Sequence, residues 1–459
     1  MKTIHLHQFI SREDQGKYLL VPFEMPERIE KVGIHYDYQS HQEEIQSLDK
    51  GKFLAIEKIN TVDIGLIAPN GEQVGTSGSG YRQIFVSETA ATFGYQPTKL
   101  TPGTWQIILG AYIIAPQGVD VKLTISFTPK KRRWLRGDPH LHSQNSDGIL
   151  SLEHLGRHAK AHGLDFLAVT DHNQTLYRAS LPKIDGLTFI PGQEWTHYRG
   201  HSNFLGIEKP YHGSFFTNSD EESYEKFAEA QTNGALIVIN HPLESRFGFR
   251  LDLDKTAYDL IEVWNGPMRP RNLETITWWH EMLKAGNKQI AICGSDYHGD
   301  TIFERLANPC LNVLAWSSSE ADILDAVRNG HSYFTYSPTP LHAEMWVKKR
   351  EVENDLLDQE EVSDEVNQND ENLATFGETV DWIEGLKVLL KVQSLEADDQ
   401  VRLINQDSSR TVFTSPAKGN LEMEIPILKP GFIRLEIWRD FHPMTSIMPA
   451  LITNPIWFD

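Results

Sequence analysis

Histidines and carboxylates in the middle of this 459-residue chain follow closely on short apolar runs. The first cluster is His140-Leu141-His142, with Asp147 five residues further on. With 19 histidines in the chain, chance alone produces about one His-x-His triplet. His5-Leu6-His7 is a second such triplet, and it has no similar residues around it. The triplet at 140–142 is therefore evidence for a site only in combination with the clusters that follow it.

The later apolar runs carry the same types of side chain at or near their ends. These side chains are Asp171, His172, Glu194, His201, His241, Asp296 and His298. Imidazoles and carboxylates suit Zn²⁺, Mn²⁺ or Fe²⁺ better than Ca²⁺, which prefers oxygen ligands. A carboxylate such as Glu194 can bridge two ions, and ions about 3.5–4 Å apart can share a water and lower its pKa to near neutrality. The pattern predicts a multinuclear metal site.

Between residues 134 and 340 the sequence predicts strands that alternate with helices. The predicted strands are Arg136–His142, Asp165–Asp171, Leu187–Glu194, His201–Ile207, Ala235–His241, Asp259–Asn265 and Gln289–Asp296. The predicted helices are Leu152–His162, Ser223–Gln231, Asn272–Ala285 and Ser319–Asn329. This alternation favours an α/β fold with a largely parallel sheet that closes into a barrel. Ligands in such barrels lie at the carboxyl ends of the strands, where the clusters fall.

The flanking regions are rich in strands. Residues 1–130 show short alternating runs and turn residues, which predict an N-terminal β-sandwich. The central domain is placed at 131–340, and residues 341–459 predict a small C-terminal β-sandwich-like domain. Within the latter, residues 351–371 carry ten acidic residues and neither Lys nor Arg, which predicts a solvated or disordered loop.

Charge and composition narrow the classes of partner. The net charge of −20 argues against nucleic acid and anionic membrane surfaces, which attract basic proteins. The N-terminus lacks the apolar run of a signal peptide, and no apolar stretch is long enough to span a membrane. Cys293 and Cys310 form no spacing motif, which is typical of buried thiols in a reducing compartment. We therefore expect a cytoplasmic protein with a small-molecule substrate.

The clusters and their surroundings resemble the PHP (polymerase and histidinol phosphatase) metallohydrolases. The matching motifs are Gly137–His142, Gly163–Asn173, Pro191–Glu194, Gly200–Asn203, Ile239–Pro242 and Gly294–His298. Ile261–Gly266 and Leu451–Ile456 resemble the branch named for carbaryl-type carbamate hydrolases, which also carries a leading β-sandwich. The resemblance covers residues 136–340 most closely. It implies a distorted (β/α)₇ barrel.

The resemblance also implies a ligand set with two or three divalent metal ions. One metal would be held by His140, His142, Glu194 and Asp296; a second by Glu194, His201 and His241; and a third by Asp147, His172 and His298. Some relatives have His where Asp147 stands, so the third site departs from part of the family. Asp171 is expected to orient a ligand, as outer partners of metal sites do.

Other polar side chains near the motifs have alternative roles. Arg199, Arg246 and Asn265 flank the predicted site and are candidates for contact with a substrate oxyanion. His197 competes with His201, and the Gly-His-x-Asn context favours His201. His154, His158 and His162 recur along one helix beside basic residues, which indicates a surface face rather than a ligand set.

The residues predict a hydrolase that uses a metal-bridging hydroxide on a small phosphomonoester or phosphodiester. Asp296 is expected to orient or deprotonate the nucleophile, and His298 to protonate the leaving group. Hydrolysis of a carbamate or carboxylic ester is the second possibility, from the branch resemblance alone. A third is a non-catalytic binding protein with a relic barrel, although every expected ligand position holds a residue that can coordinate a metal.

Overall fold

The computed structural model describes residues 2–48, 51–348, 372–442 and 447–459. The chain forms two compact units, residues 1–131 and 132–459. The domain boundary predicted near residue 340 falls inside the second unit. The predicted acidic loop at 351–371 lies outside the described residues. In the part of the chain that is described, no helix has the length and apolar character needed to cross a membrane.

The described part of the first unit is built from ten strands. They are β1 Lys2–Ile10, β2 Tyr18–Met25, β3 Ile29–Asp37, β4 His41–Leu48, β5 Gly51–Lys58, β6 Thr61–Ile67, β7 Gln73–Ser77, β8 Gln83–Ser87, β9 Gly103–Ile113 and β10 Val119–Pro129. Two four-stranded antiparallel sheets, ordered β1-β10-β3-β8 and β2-β9-β6-β7, share one hydrophobic cluster. Buried and less buried side chains alternate along β10, so one face of its sheet supplies this core.

The second unit begins with the seven strands and four helices that the sequence predicts between residues 134 and 340, together with two strands, Cys310–Ala315 and Ser332–Thr335, that it does not predict. The strands are β11 Arg133–Leu141, β12 Phe166–Val169, β13 Thr188–His197, β14 Gly200–Leu205, β15 Leu236–Ile239, β16 Leu260–Asn265, β17 Ile290–Gly294, β18 Cys310–Ala315 and β19 Ser332–Thr335. The helices are α1 Leu152–Ala161, α2 Asp220–Thr232, α3 Pro270–Lys284 and α4 Glu320–Arg328. Every residue of β12 and β15 is buried, which explains their uninterrupted apolar sequences.

The sheet of the second unit is mixed rather than largely parallel. Neighbouring strands follow the order β17-β16-β15-β14-β13-β12-β11-β18-β19. The pairs β11–β12, β12–β13, β15–β16 and β16–β17 are parallel, whereas β14 is antiparallel to both of its neighbours. Only Tyr198 and Arg199 separate β13 from β14, which leaves no room for a crossover helix. The regular alternation of strands and helices expected from the sequence is therefore interrupted between β13 and β14. Because the two strands are antiparallel, the first residue of β14 lies beside the last residue of β13.

Serine caps set the starts of three helices. The side chains of Ser151, Ser219 and Ser319 accept hydrogen bonds from backbone N–H groups in the first turns of α1, α2 and α4. Helix α3 instead begins with Pro270, whose missing N–H costs nothing at this position. Gly163 follows α1 with a φ of 72°, the left-handed geometry that glycine adopts without strain.

The C-terminal strands join the same unit. They are β20 His342–Lys348, β21 Asn372–Ala374, β22 Thr379–Val380, β23 Lys387–Leu395, β24 Gln400–Ile404, β25 Ser409–Thr414, β26 Gly419–Pro426, β27 Gly431–Asp440, β28 Ile447–Thr453 and β29 Ile456–Phe458. Strand β28 pairs with β19 and continues the large sheet through β27, β24 and β25. The Asn454 side chain hydrogen-bonds both the N–H and the C=O of Ala291 in β17, at 2.9 and 3.0 Å. The end of the chain thus supports the strand that leads into Asp296.

Candidate metal centre

The two ends of the β11–β17 path meet at the predicted ligands. Leu141 forms a parallel bridge with Tyr297, and His172 forms another with Glu194. The Asp296 N–H donates to the His140 carbonyl at 2.9 Å, and the His142 N–H donates to the Tyr297 carbonyl at 2.9 Å. These backbone contacts hold the end of β11 against the segment that follows β17.

Glu194 lies at the centre of the predicted site. Its carboxylate is fully buried and faces five histidines. The oxygen–nitrogen distances are 3.3 Å to His140 Nε2, 3.6 Å to His142 Nε2, 2.7 Å to His172 Nδ1, 3.2 Å to His201 Nδ1 and 3.6 Å to His241 Nε2. These histidines come from four different places along the sheet, so only the folded chain brings them to one carboxylate.

Two further carboxylates extend this cluster. Asp296 Oδ1 lies 3.3 Å from His140 Nε2 and 3.1 Å from His142 Nε2. Asp147, more than half exposed, lies 3.5 Å from His172 Nε2 and 3.3 Å from His298 Nε2. The buried end of the cluster therefore contains Glu194, and its open end contains Asp147.

Among the described residues, three groups of side chains have atoms close enough together to hold a metal ion. They are His140, His142 and Asp296; Glu194, His201 and His241; and His142, Asp147, His172 and His298. Within each group the potential ligand atoms all lie within 4.8 Å of one another. All nine residues predicted as metal ligands belong to at least one of these groups, but Glu194 falls with His201 and His241 and not with His140, His142 and Asp296. Metal binding itself stays a prediction.

The residues present fit a divalent cation. His140 Nε2 is buried and faces Glu194 Oε1 and Asp296 Oδ1 at 3.3 Å each, yet no described residue forms a hydrogen bond with it. Buried polar atoms in proteins are normally satisfied, and a divalent cation bound between this nitrogen and the two carboxylate oxygens would satisfy all three. A mixed set of imidazoles and carboxylates is the donor set that Zn²⁺, Mn²⁺ and Fe²⁺ prefer.

Charge interactions in the cluster favour ionised carboxylates. Burial raises the pKa of Glu194, but His140 and hydrogen bonds from the neighbouring histidines outweigh it and hold that pKa well below its usual range. Burial likewise raises the pKa of Asp296, and His140 and His142 bring it well below the usual value. Both carboxylates are therefore available as anionic ligands at neutral pH.

Glu262 contacts two predicted ligands and is not among the site residues that the sequence predicts. It is buried in β16, and its Oε1 accepts a hydrogen bond from His140 Nδ1 at 2.9 Å. Its Oε2 accepts from the His241 N–H at 2.9 Å and from Asn265 Nδ2 at 3.1 Å. A carboxylate behind a ligating histidine fixes the ring's tautomer and orientation. The available signal was a charged residue between Ile261 and Val263 in an otherwise apolar run, since such residues are almost never fully buried unless paired.

Two other side chains orient the cluster. Asn240 Nδ2 donates to Glu194 Oε1 at 2.8 Å and to Asn203 Oδ1 at 2.9 Å. Asp171 accepts from the Ser143 N–H at 2.7 Å and from Ser146 Oγ at 2.8 Å. Asp171 thus holds the turn between His142 and Asp147 and does not belong to any of the three ligand groups.

Backbone strain coincides with the site. The φ angles of Asn173, His241 and Asp296 are 52°, 27° and 52°. They lie in the left-handed region, which residues other than glycine seldom adopt. Each follows the end of a buried strand. Such conformations cost about 1–3 kcal/mol and persist where the surroundings determine them, which is typical of ligand-binding positions.

The three candidate substrate contacts have different surroundings. Arg199 donates to both oxygens of Asp220 at 2.7 Å, so its guanidinium is already engaged in an exposed ion pair. Arg246 is exposed in the loop after β15. Asn265 is buried and donates to Asp296 Oδ2 at 3.3 Å. Of the three, Asn265 makes a hydrogen bond to a predicted ligand.

The competing histidines lie outside the three ligand groups. His197 Nε2 contacts the Thr217 carbonyl at 3.1 Å, and its ring stacks on Trp195. His154 and His162 are exposed on α1, and His158 faces Asp300 at 3.5 Å. The structure therefore places His201, and not His197, beside Glu194.

Comparisons with known proteins give limited similarity. No protein-family model and no curated protein matches the sequence. A two-domain Bacteroides vulgatus protein containing a predicted PHP-like metal-dependent phosphoesterase is 19% identical, with a TM-score of 0.38 over 66% of this chain and 90% of its own. A Bifidobacterium adolescentis protein described as a metal-dependent phosphoesterase is 16% identical, with a TM-score of 0.26 over 37% of this chain and 90% of its own. An amidohydrolase from Chromobacterium violaceum is 17% identical, with a TM-score of 0.26 over 37% of this chain and 89% of its own. These values do not establish the family of this chain.

Proposed function

We propose that this protein is a metal-dependent hydrolase of the PHP type that cleaves a small phosphomonoester or phosphodiester. The observation that carries the proposal is the fully buried Glu194 with five histidines within 3.6 Å of its oxygens. A structural role alone does not require so many imidazoles around one carboxylate. Two further carboxylates, Asp296 and Asp147, complete three adjacent ligand groups.

The three groups would hold two or three divalent ions, Zn²⁺, Mn²⁺ or Fe²⁺. Bound ions supply a water of lowered pKa and stabilise negative charge that develops on a phosphoryl oxygen. Positive charge from the ions would offset the carboxylates and favour an anionic substrate over a neutral one. This complementarity supports a phosphoester as the leading substrate class.

Asp296 and His298 are the residues assigned to orienting the nucleophile and to proton transfer. Asp296 keeps about a quarter of its side chain exposed, so it can accept a hydrogen bond from the nucleophilic water and orient it. His298 is one third exposed, and its Nδ1 contacts the Asp296 carbonyl at 2.8 Å, which fixes its ring. Its Nε2 faces Asp147 at the open end of the cluster and, when no ion occupies the group of His142, Asp147, His172 and His298, is the atom that would hold the proton for the leaving oxygen.

The proposal extends to the fold. Strands β11–β17 are assigned to a distorted PHP barrel, because the bridge between Leu141 and Tyr297 joins the two ends of their path. The two sheets of residues 1–131 are assigned to a β-sandwich, because they share one hydrophobic cluster. Membership of the carbamate-hydrolase-like branch rests on the motifs at 261–266 and 451–456.

The test is to purify the protein, measure bound metal, and assay it with Mn²⁺ or Zn²⁺. Substrates are p-nitrophenyl phosphate, bis(p-nitrophenyl) phosphate and an aryl N-methylcarbamate. We expect phosphoester turnover that Glu194→Gln abolishes and that Glu153→Gln, an exposed change on α1, leaves intact. Turnover of the carbamate alone would replace the phosphoester assignment with the carbamate one. Absence of bound metal and of any turnover would favour a non-catalytic binding protein.

A further inference from the structure

A ring of contacts ties a predicted ligand on β11 to Asp296. His140 Nδ1 donates to Glu262 Oε1 at 2.9 Å, and Asn265 Nδ2 donates to Glu262 Oε2 at 3.1 Å. The same Asn265 Nδ2 donates to Asp296 Oδ2 at 3.3 Å. Asp296 Oδ1 then faces His140 Nε2 at 3.3 Å and closes the ring. One amide nitrogen thus uses both of its hydrogens to join two carboxylates that would otherwise repel each other.

Arg269 and the two carboxylates together set which way this amide points. Its Nη2 donates to Asn265 Oδ1 at 3.1 Å. A guanidinium has no acceptor and an ionised carboxylate has no donor, so the amide oxygen must face Arg269 and the nitrogen must face the carboxylates. Two residues hold the backbone carbonyl of Asn265: Asn272 Nδ2 donates to it at 3.0 Å, and Arg269 Nη2 donates to it at 3.4 Å.

We propose that Arg269 is a positioning residue for the metal centre and that it acts through Asn265. By fixing the amide, Arg269 keeps Asn265 donating to Glu262 and Asp296 and so sets the geometry of Asp296 and His140. This assigns Asn265 to the support of ligands rather than to the substrate contact expected from the sequence. The inference rests on the proposed metal centre but not on any particular reaction.

The experiment is a double-mutant cycle on metal affinity. Metal-free wild type, Arg269→Ala, Asn265→Ala and the double variant are titrated with Mn²⁺ by calorimetry. Loss of an outer partner of a metal ligand typically costs 10- to 100-fold in affinity. We expect about tenfold weaker binding for Arg269→Ala and a larger loss for Asn265→Ala. Because Arg269 acts through Asn265, we expect the double variant to bind as Asn265→Ala does.

The matched control is Arg271→Ala, which removes a neighbouring exposed arginine of α3 that pairs with Glu274. It should bind Mn²⁺ like wild type. Thermal melting checks folding, and Asn265→Ser replaces Asn265→Ala in the cycle if the alanine variant does not fold.

Three results would overturn the proposal. In the first, Arg269→Ala binds metal as tightly as Arg271→Ala. In the second, Arg269→Ala weakens metal binding equally in the wild-type and Asn265→Ala backgrounds. In the third, Arg269→Ala raises KM for a substrate and leaves metal affinity unchanged, which would make Arg269 a substrate contact. Failure of the proposed reaction would look different, because metal would bind and the cycle would hold while no phosphoester was cleaved. A wild type that binds no Mn²⁺ or Zn²⁺ would contradict both proposals.

Discussion

Glu262 Oε1 lies 2.9 Å from His140 Nδ1, and both side chains are fully buried. The same carboxylate accepts the backbone N–H of His241 through its other oxygen. One side chain of β16 therefore orients residues of two different predicted ligand groups. This relationship makes Glu262 the most informative position for substitution outside the ligands themselves.

Glu262→Gln should weaken metal binding while the fold persists. Glutamine offers one oxygen where three donors converge, so its NH₂ group must face either His140 or the donors from His241 and Asn265. We expect metal affinity to fall by about 10- to 100-fold. Calorimetric titration with Zn²⁺ or Mn²⁺ measures the change, with Glu281→Gln on the exposed face of α3 as the control. Unchanged affinity would show that Glu262 has no part in the metal centre.

Removal of metal should destabilise the second unit. A ligand that binds only the folded state stabilises it by about 2.7 kcal/mol when its free concentration is 100 times Kd. We therefore expect a chelator to lower the melting temperature and added Zn²⁺ or Mn²⁺ to restore it. Ca²⁺ at the same concentration should not, because five imidazoles around Glu194 are poor ligands for it. A melting temperature that responds to no divalent ion would contradict the proposed centre.

Gly294→Ala should disturb the site although the change adds one methyl group. A Cβ at Gly294 would collide with the His140 side chain and lie 2.7 Å from Glu262 Oε1. Overpacking of this kind typically costs about 1–3 kcal/mol. We expect lower stability and weaker metal binding, measured by thermal melting and titration. Gly80→Ala, where a Cβ meets no described atom within 4 Å, is the control and should change neither. Equal behaviour of the two variants would show that His140 and Glu262 move freely.

Arg199→Ala should leave KM unchanged. The guanidinium is engaged with both oxygens of Asp220, and both side chains are substantially exposed. Exposed ion pairs contribute about 0–1 kcal/mol, so only a small loss of stability is expected. Steady-state kinetics on whichever substrate is turned over provide the measurement, and Asp220→Asn is the matched variant. A raised KM for Arg199→Ala, without one for Asp220→Asn, would restore the substrate contact considered from the sequence.

Many elements of the central region were predictable because their signals are local. Phe166–Val169 and Leu236–Ile239 are continuous apolar runs, which buried strands require. Ser151 and Gly163 bracket α1 as a cap and a left-handed terminus. Polar residues that follow such runs, for example His172 and His241, can likewise be recognised from the sequence alone.

Other features depend on relationships that no local pattern contains. The direction of β14 follows from the two-residue turn at Tyr198 and Arg199, and the pairing of Arg199 with Asp220 follows from where α2 packs. The predicted boundary near residue 340 is not visible in the compact units, because β28 returns to pair with β19. Pairing between distant segments is set by packing, and propensity does not encode it.

The sequence by itself determined which residue types stand at the strand ends, and through them the chemistry that the site can support. His140, His142 and Glu194 can coordinate metals wherever they lie. Only the tertiary structure decided that Glu194 meets five histidines and that Glu262 lies behind His140, because these contacts join segments up to 122 residues apart. Burial and strand register produce such contacts, and the composition of a single strand does not specify them.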